Sequence, residues 1–198
     1  WYAGMEGGKA LAEVLFGKVN PSGRLPESFP FSHMDCPAHC IGEFPGGKTV
    51  AYREGRFGGY RYYETRQVPV AFPFGYGLSY TEFTYERLKA RVKGNGNGAK
   101  VQVTLGVVNT GAMKGKEVVQ LYVGRKNPGE DRPIRELKAF DKISLKPGEI
   151  KNLEFMLDME AFSYYDEKEK EFRVEKGAYI ISVCRSAHEV WMETEVEL

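Results

Sequence analysis

The sequence predicts a mainly β chain: an antiparallel β-sandwich over residues 83–198, preceded by a short α/β segment. Three observations predict it. From Phe83 onward, apolar residues recur at every second position in seven or eight short runs. Turn residues separate those runs. Upstream of Phe83 the pattern is different: one helical stripe, one turn, and two stretches dense in aromatics and glycine.

The elements follow in order. In Glu6–Phe16, Ala10, Leu11, Val14 and Leu15 fall at helical spacing and form one apolar stripe. Gly17 follows the last of them, where a left-handed C-terminal residue is expected. Asn20-Pro21-Ser22-Gly23 reads as a turn leading into a short strand. Gly7 and Gly8 are poor helix formers, which suggests a close backbone approach there. Residues 31–50 show no period and read as a loop. Residues 51–82 carry Tyr60-Arg61-Tyr62-Tyr63 and Phe72-Pro73-Phe74-Gly75-Tyr76-Gly77-Leu78-Ser79-Tyr80. Large aromatics gain mainly when buried, so this stretch reads as a connection packed tightly on a surface.

The strand runs then begin. Leu88, Ala90 and Val92 precede a turn at Gly94–Gly98. Val101, Val103, Leu105 and Val107 alternate with Gln102 and Thr104, and Val119, Leu121 and Val123 make another face. Lys138–Leu145 ends at the turn Lys146-Pro147-Gly148. Leu153, Phe155 and Leu157 form the next run. Phe172 and Val174 lead to Gly177, and Tyr179, Ile181 and Val183 follow. The last run alternates Val190, Met192 and Val196 with Glu193, Glu195 and Glu197. Such alternation gives each sheet one dry and one wet face. A Cys…Trp…Cys pattern is missing, which argues against an antibody-type domain.

Composition narrows the function classes. Lys+Arg is 28 and Asp+Glu is 27. That balance argues against a nucleic-acid binder, which needs surplus cations to displace phosphate counterions. It argues equally against a polybasic membrane-surface protein. No apolar run approaches the roughly 20 residues of a membrane helix. Three cysteines are too few for a disulfide framework and lean towards a reducing, cytoplasmic compartment.

Three runs, in order, resemble the family 3 glycoside hydrolases of the β-glucosidase kind. The first is Trp1-Tyr2-Ala3-Gly4-Met5-Glu6-Gly7-Gly8, with Ala12–Gly17 and Asn20-Pro21-Ser22-Gly23-Arg24-Leu25-Pro26. The second is Glu54-Gly55, Gly59–Tyr63 and Phe72–Tyr80. The third is Gly115-Lys116-Glu117-Val118-Val119-Gln120-Leu121-Tyr122-Val123, with Arg132-Pro133, Glu136-Leu137-Lys138, Leu145–Glu149 and Ser163–Asp166. Gly58 and Ala139 depart from the family pattern, and residues 31–50 match no part of it.

The resemblance implies a fibronectin type III-like, immunoglobulin-like sandwich at 83–198. It makes residues 1–50 the end of an α/β sandwich domain and residues 51–82 a docking segment between the two. It also implies a retaining glycosidase, with a nucleophilic carboxylate and an acid/base carboxylate ~5 Å apart. In the family the aspartate nucleophile and the acid/base glutamate lie upstream of the matching region. No catalytic residue is therefore expected in this chain, and no cofactor. Its expected partners are the remaining domains of a parent enzyme, whose substrate is a β-linked sugar.

Four residues are candidates for touching that sugar. Tyr60, Arg61 and Tyr62 offer ring faces and guanidinium donors, although inter-domain packing, with Arg stacked on aromatics, is the plainer reading. Glu6, at the helix start, would face the cleft or simply complement the helix dipole. Glu54 is expected to pair with Arg56 or Arg61. His33, Cys36, His39 and Cys40 have zinc-binding side chains, but their spacing fits no standard finger, so no metal is expected. An unpartnered helical stripe should leave an apolar patch, so the chain is expected to self-associate, by exchange of residues 1–30. The alternatives to a bracing role are a carbohydrate- or protein-binding module and a ligand-free spacer.

Overall fold

A computed structural model describes residues 3–198; Trp1 and Tyr2 of the first run lie outside them. Helix α1 covers Gly7–Leu15 and ends at Phe16, with Gly17 at φ +70°, as its spacing predicts. Among the described residues its stripe is only partly covered: Leu11 and Leu15 are exposed and Val14 is half-buried. An added Cβ on Gly7 would crowd Ala3, whereas Gly8 faces open space, so only the first has a close neighbour.

Residues 31–50 are not a plain loop. Ser32 caps a 3-10 turn at His33–Asp35, and its hydroxyl accepts from Met34 N while Asp35 accepts from Ser32 N. This reciprocal capping box closes a turn whose apolar period is too short to detect. A one-turn helix, α2, follows at Pro37–Cys40, with proline at its first position. Residues 51–82 also hold regular structure that alternation missed. Helix α3 spans Tyr60–Arg66 and buries Tyr63 and Glu64. Strand β1 (Phe29–Pro30) pairs antiparallel with β2 (Val70–Phe72), tying the first segment to the second.

The sandwich follows the predicted strand order. Strands β3 (Phe83–Lys93), β4 (Lys100–Asn109) and β7 (Ile150–Asp158) form one antiparallel sheet, in the order β3-β4-β7. Strands β5 (Gly115–Arg125), β6 (Glu136–Leu145), β10 (Ala178–Cys184) and β11 (Val190–Glu197) form the other, in the order β11-β10-β5-β6. A small hairpin of β8 (Tyr164–Asp166) and β9 (Glu171–Arg173) stands apart. The core lies between the sheets. Val101, Val103 and Val107 of β4 face Val119 and Leu121 of β5, Ile181 and Val183 of β10, and Leu145 of β6, all fully buried. Each such side chain contributes about 1.5–3 kcal/mol, which is why the alternation was legible. In β3, Arg87 sits at φ +57° in a bulge, and the register shifts between Glu86 and Lys89. The shift changes parity, so Phe83 and Tyr85 point inward before it and Leu88 and Ala90 after it. Glu193, Glu195 and Glu197 line the wet face of the edge strand β11, as expected.

The cysteines are all free thiols: Cys40 is exposed and Cys184 fully buried. Burial pushes the Cys184 thiol up to about 12, so almost no thiolate forms at neutral pH. Iodoacetamide is expected to label Cys40 in the native chain and Cys184 only in denaturant. Native labelling of Cys184 at the rate of Cys40, followed by peptide mass spectrometry, would contradict the closed sandwich.

Candidate functional site

The three family-like runs meet along one seam. Residues 72–80 lie between residues 20–28 on one side and the sandwich on the other. Leu25 N donates to Tyr76 O at 2.9 Å, and Gly75 N donates to Leu25 O at 2.8 Å. Asn20 Oδ1 accepts from Ser79 Oγ (3.1 Å) and Tyr80 N (2.8 Å), while its Nδ2 donates to Lys114 O (3.1 Å). The Tyr80 hydroxyl donates to Val14 O at 2.8 Å, at the end of α1. On the sandwich side, Ala187 N donates to Phe74 O at 2.8 Å. The buried Gln120 donates to Gly75 O (3.0 Å) and Arg185 O (2.7 Å) and accepts from the Tyr122 hydroxyl (2.9 Å).

At the centre of the seam is a buried carboxylate. Glu117 on β5 is 3% exposed. Its Oε2 takes Arg24 Nη2 at 2.8 Å and its Oε1 takes the Tyr85 hydroxyl at 2.6 Å. Burial and the neighbouring carboxylate push the Tyr85 hydroxyl far above its ordinary range, so it stays a neutral donor. Gly77 lets the two segments approach: a Cβ there would lie 2.5 Å from Arg24 Nη1. A buried ion pair repays its desolvation only when its polar atoms are hydrogen-bonded; both Glu117 oxygens are engaged here, whereas Arg24 Nε is buried without a partner among the described residues.

Helix α3 is a second anchor. The Tyr60 ring stacks on Phe74 (centroids 4.7 Å apart) and meets Tyr122 edge-on (5.9 Å). Its hydroxyl accepts from Leu137 N at 2.9 Å, and burial raises its pKa. Arg61 Nε pairs with Glu136 at 2.7 Å and its guanidinium lies 5.5 Å from the Tyr60 ring. The Tyr62 hydroxyl donates to Cys40 Sγ at 3.5 Å, and this bond pushes its pKa up to about 12. The buried Glu64 pairs with Arg135 and with His188, each at 3.4 Å. Thr65 Oγ1 accepts from Ile134 N at 3.1 Å.

Tyr60, Arg61 and Tyr62 thus share one helix on the sandwich. Glu6 is placed elsewhere, exposed at the start of α1 with Lys9 3.9 Å away. The expected partners of Glu54 are taken by others: Arg61 pairs with Glu136 and Arg56 with Glu167. Charges close in sequence lost here to charges that the fold brings close. The imidazoles of His33 and His39 meet edge-on at 5.1 Å, and Cys40 Sγ donates to Met34 O. Among the described residues, no three of His, Cys, Asp or Glu converge as a metal-binding group. The reading of the sequence missed Glu117, Arg24, Gln120 and Glu64. Glu117 did carry a signal: it falls in phase with the core residues Val119, Leu121 and Val123.

Known proteins resemble the chain along nearly its whole length. The family model described as the glycosyl hydrolase family 3 C-terminal domain matches residues 1–80, and that of the fibronectin type III-like domain matches residues 117–187. The thermostable beta-glucosidase B of Acetivibrio thermocellus is 44% identical over 192 residues, covering 96% of this chain and 25% of that protein. A GH3 beta-glucosidase of Bifidobacterium adolescentis superposes with a TM-score of 0.91 at 40% identity, over 100% of this chain and 29% of the other. The Kluyveromyces marxianus beta-glucosidase in complex with glucose gives 0.91 at 41%, over 100% and 24%. The chain spans about a quarter of the length of the curated relatives it matches. It belongs to the family 3 glycoside hydrolases, in the region of their C-terminal and fibronectin type III-like domains.

Proposed function

We propose that the chain is the non-catalytic C-terminal portion of a β-glucosidase-type enzyme, and that it braces the domains that hydrolyse terminal β-D-glucosidic bonds. One observation carries this reading: the most exposed apolar side chains of residues 3–52 lie on either side of the 20–28 stretch that the seam ties to the sandwich. Met5, Phe16, Phe31 and Tyr52 are each more than 70% exposed. Exposed apolar area of this kind marks an interaction surface, and in the relatives the same region is one part of a longer chain. Residues 72–80 and α3 cover the outer face of β5 and β10, where Gln120, Tyr122 and Cys184 are buried, and residues 3–52 offer their exposed apolar side chains to the rest of the enzyme.

The retaining chemistry then belongs to two carboxylates outside residues 1–198. Tyr60 serves packing, because Phe74 and Tyr122 already occupy its ring. Arg61, Tyr62 and Glu6 are the residues of this portion that would approach the sugar. By itself the chain is expected to self-associate through its apolar face; a strictly monomeric sedimentation profile at high concentration would count against that.

Hydrolysis of p-nitrophenyl β-D-glucoside tests the functional reading. The chain alone is expected to be inert, and activity is expected when it is mixed with the upstream portion of its parent. Turnover by residues 1–198 alone would overturn the proposal, since a carboxylate pair would then lie within them.

A further inference from the structure

Between the β8–β9 hairpin and the ends of β5 and β6 the sandwich carries an open cleft of about 530 Å³. That volume is within the roughly 300–1,000 Å³ of small-molecule sites. Its floor is set before any ligand arrives. The Arg132 guanidinium lies 3.5 Å from the Tyr164 ring centroid and grips both oxygens of Glu175, at 2.8 and 3.2 Å. Arg125 closes on the same carboxylate. The hydrogen bonds from Arg132 hold Glu175 below its ordinary carboxylate range, so it stays charged.

The walls are open to a visitor. Tyr165 and Phe172 are cross-strand partners on the hairpin, with ring centroids 5.4 Å apart. They remain 43% and 72% exposed. A hairpin with strands of three residues gains little by itself, and an exposed Phe leaves most of its apolar area in water. Asp158 and Glu160 stand exposed at the rim, with Lys138 beside Glu136 on β6. The charge around the cleft cancels. Among the lining residues the cations Arg56, Arg125, Arg132 and Lys138 face the carboxylates Glu136, Asp158 and Glu160, and Glu175, outside the lining, pairs with both Arg125 and Arg132. A phosphate or sulfate ester finds no net field there, and neither does an organic cation.

A pyranose ring fits this chemistry. Its C–H face is weakly positive and suits the negative face of an aromatic ring. Its hydroxyls donate to carboxylates and accept from ammonium or guanidinium groups. We infer that this cleft binds a short neutral saccharide, stacked on Phe172 and Tyr165 and hydrogen-bonded by Asp158, Glu160 and Lys138.

Calorimetric titration of the chain with cellobiose, and separately with glucose 6-phosphate, tests it. Cellobiose is expected to bind saturably and more tightly than the phosphate ester. Phe172→Ala is expected to weaken cellobiose by about tenfold, as one lost aromatic contact implies. Lys138→Ala and Asp158→Asn lie off the hairpin and are expected to weaken it while leaving the melting temperature unchanged, so a hairpin lost in Phe172→Ala does not decide the matter. Absence of saturation, tighter binding of glucose 6-phosphate, or an affinity unmoved by Lys138→Ala and Asp158→Asn would overturn the site. Hydrolysis plays no part in the titration, so its failure would leave the bracing role standing.

Discussion

Glu117→Ala is expected to cost about 3–5 kcal/mol, because it leaves a buried guanidinium without its counter-charge. Arg24 has only 13% of its side chain exposed, and the Tyr85 hydroxyl would lose its acceptor at the same time. For a chain of this size each kcal/mol shifts the melting temperature by roughly 2–4 °C, so a fall of about 10 °C is expected. Glu117→Gln keeps the shape and one acceptor oxygen and should fall less. The loss should also loosen the segment ahead of the sandwich: trypsin is expected to cut within residues 1–80 of Glu117→Ala faster than in the parent chain. Thermal melting with parallel proteolysis checks both. A melting temperature within a degree or so of the parent would mean that the pair contributes little, as exposed ion pairs do.

Gly124→Ala is expected to be at least as damaging. A Cβ at Gly124 would lie 2.9 Å from Ile134 C and 3.2 Å from Arg135 Cα, and closer still to the Ile134 carbonyl oxygen. All three are backbone atoms and cannot rotate away. Overpacking typically costs about 1–3 kcal/mol where side chains can adjust; against a rigid main chain the upper end or more is expected. The effect should spread, because the strip that must move also carries the α3 anchors: Ile134 N donates to Thr65, and Arg135 pairs with Glu64. Differential scanning calorimetry of Gly124→Ala should show a lowered and less cooperative transition. An unchanged transition would mean that the 126–135 connection yields freely.

The sandwich was legible because its strands bury one face against the opposite sheet; the expected wet face is missing on β5 and β10, where residues 72–80 and α3 bury Gln120, Tyr122 and Cys184 as well. Val101, Val103, Leu105 and Val107 announce β4 without help from any neighbour. Helix α1 was legible too, from spacing and from Gly17. Helix α3 was not. It is seven residues long, and its aromatics face Phe74, Tyr122 and Cys40 at once, so no single apolar stripe appears. The capped turn at 33–35 is held by two local hydrogen bonds, which leave no hydrophobic period.

The seam was half legible. Its residues sit inside the runs that carry the family resemblance, yet their pairing is set by chain separations such as the 93 residues between Arg24 and Glu117. Periodicity has no access to partners so far apart. It does flag a lone carboxylate in phase with buried valines, and Glu117 is that case. Arg61 shows the converse: Glu54 is near in sequence, and Glu136 across the fold takes the pair.

Residues 20–28 and 72–80 are expected to open only together with the sandwich, as one cooperative unit. Native-state hydrogen exchange decides this. The amides of Leu25, Gly75 and Ala187 donate across the seam. They are expected to exchange with the same opening free energy as the core amides of β4 and β5, and to lose protection together in Glu117→Ala. Exchange of those three amides at surface-loop rates, while β4 and β5 stay protected, would mean that the seam opens independently and that the sandwich is a module following a loosely attached segment.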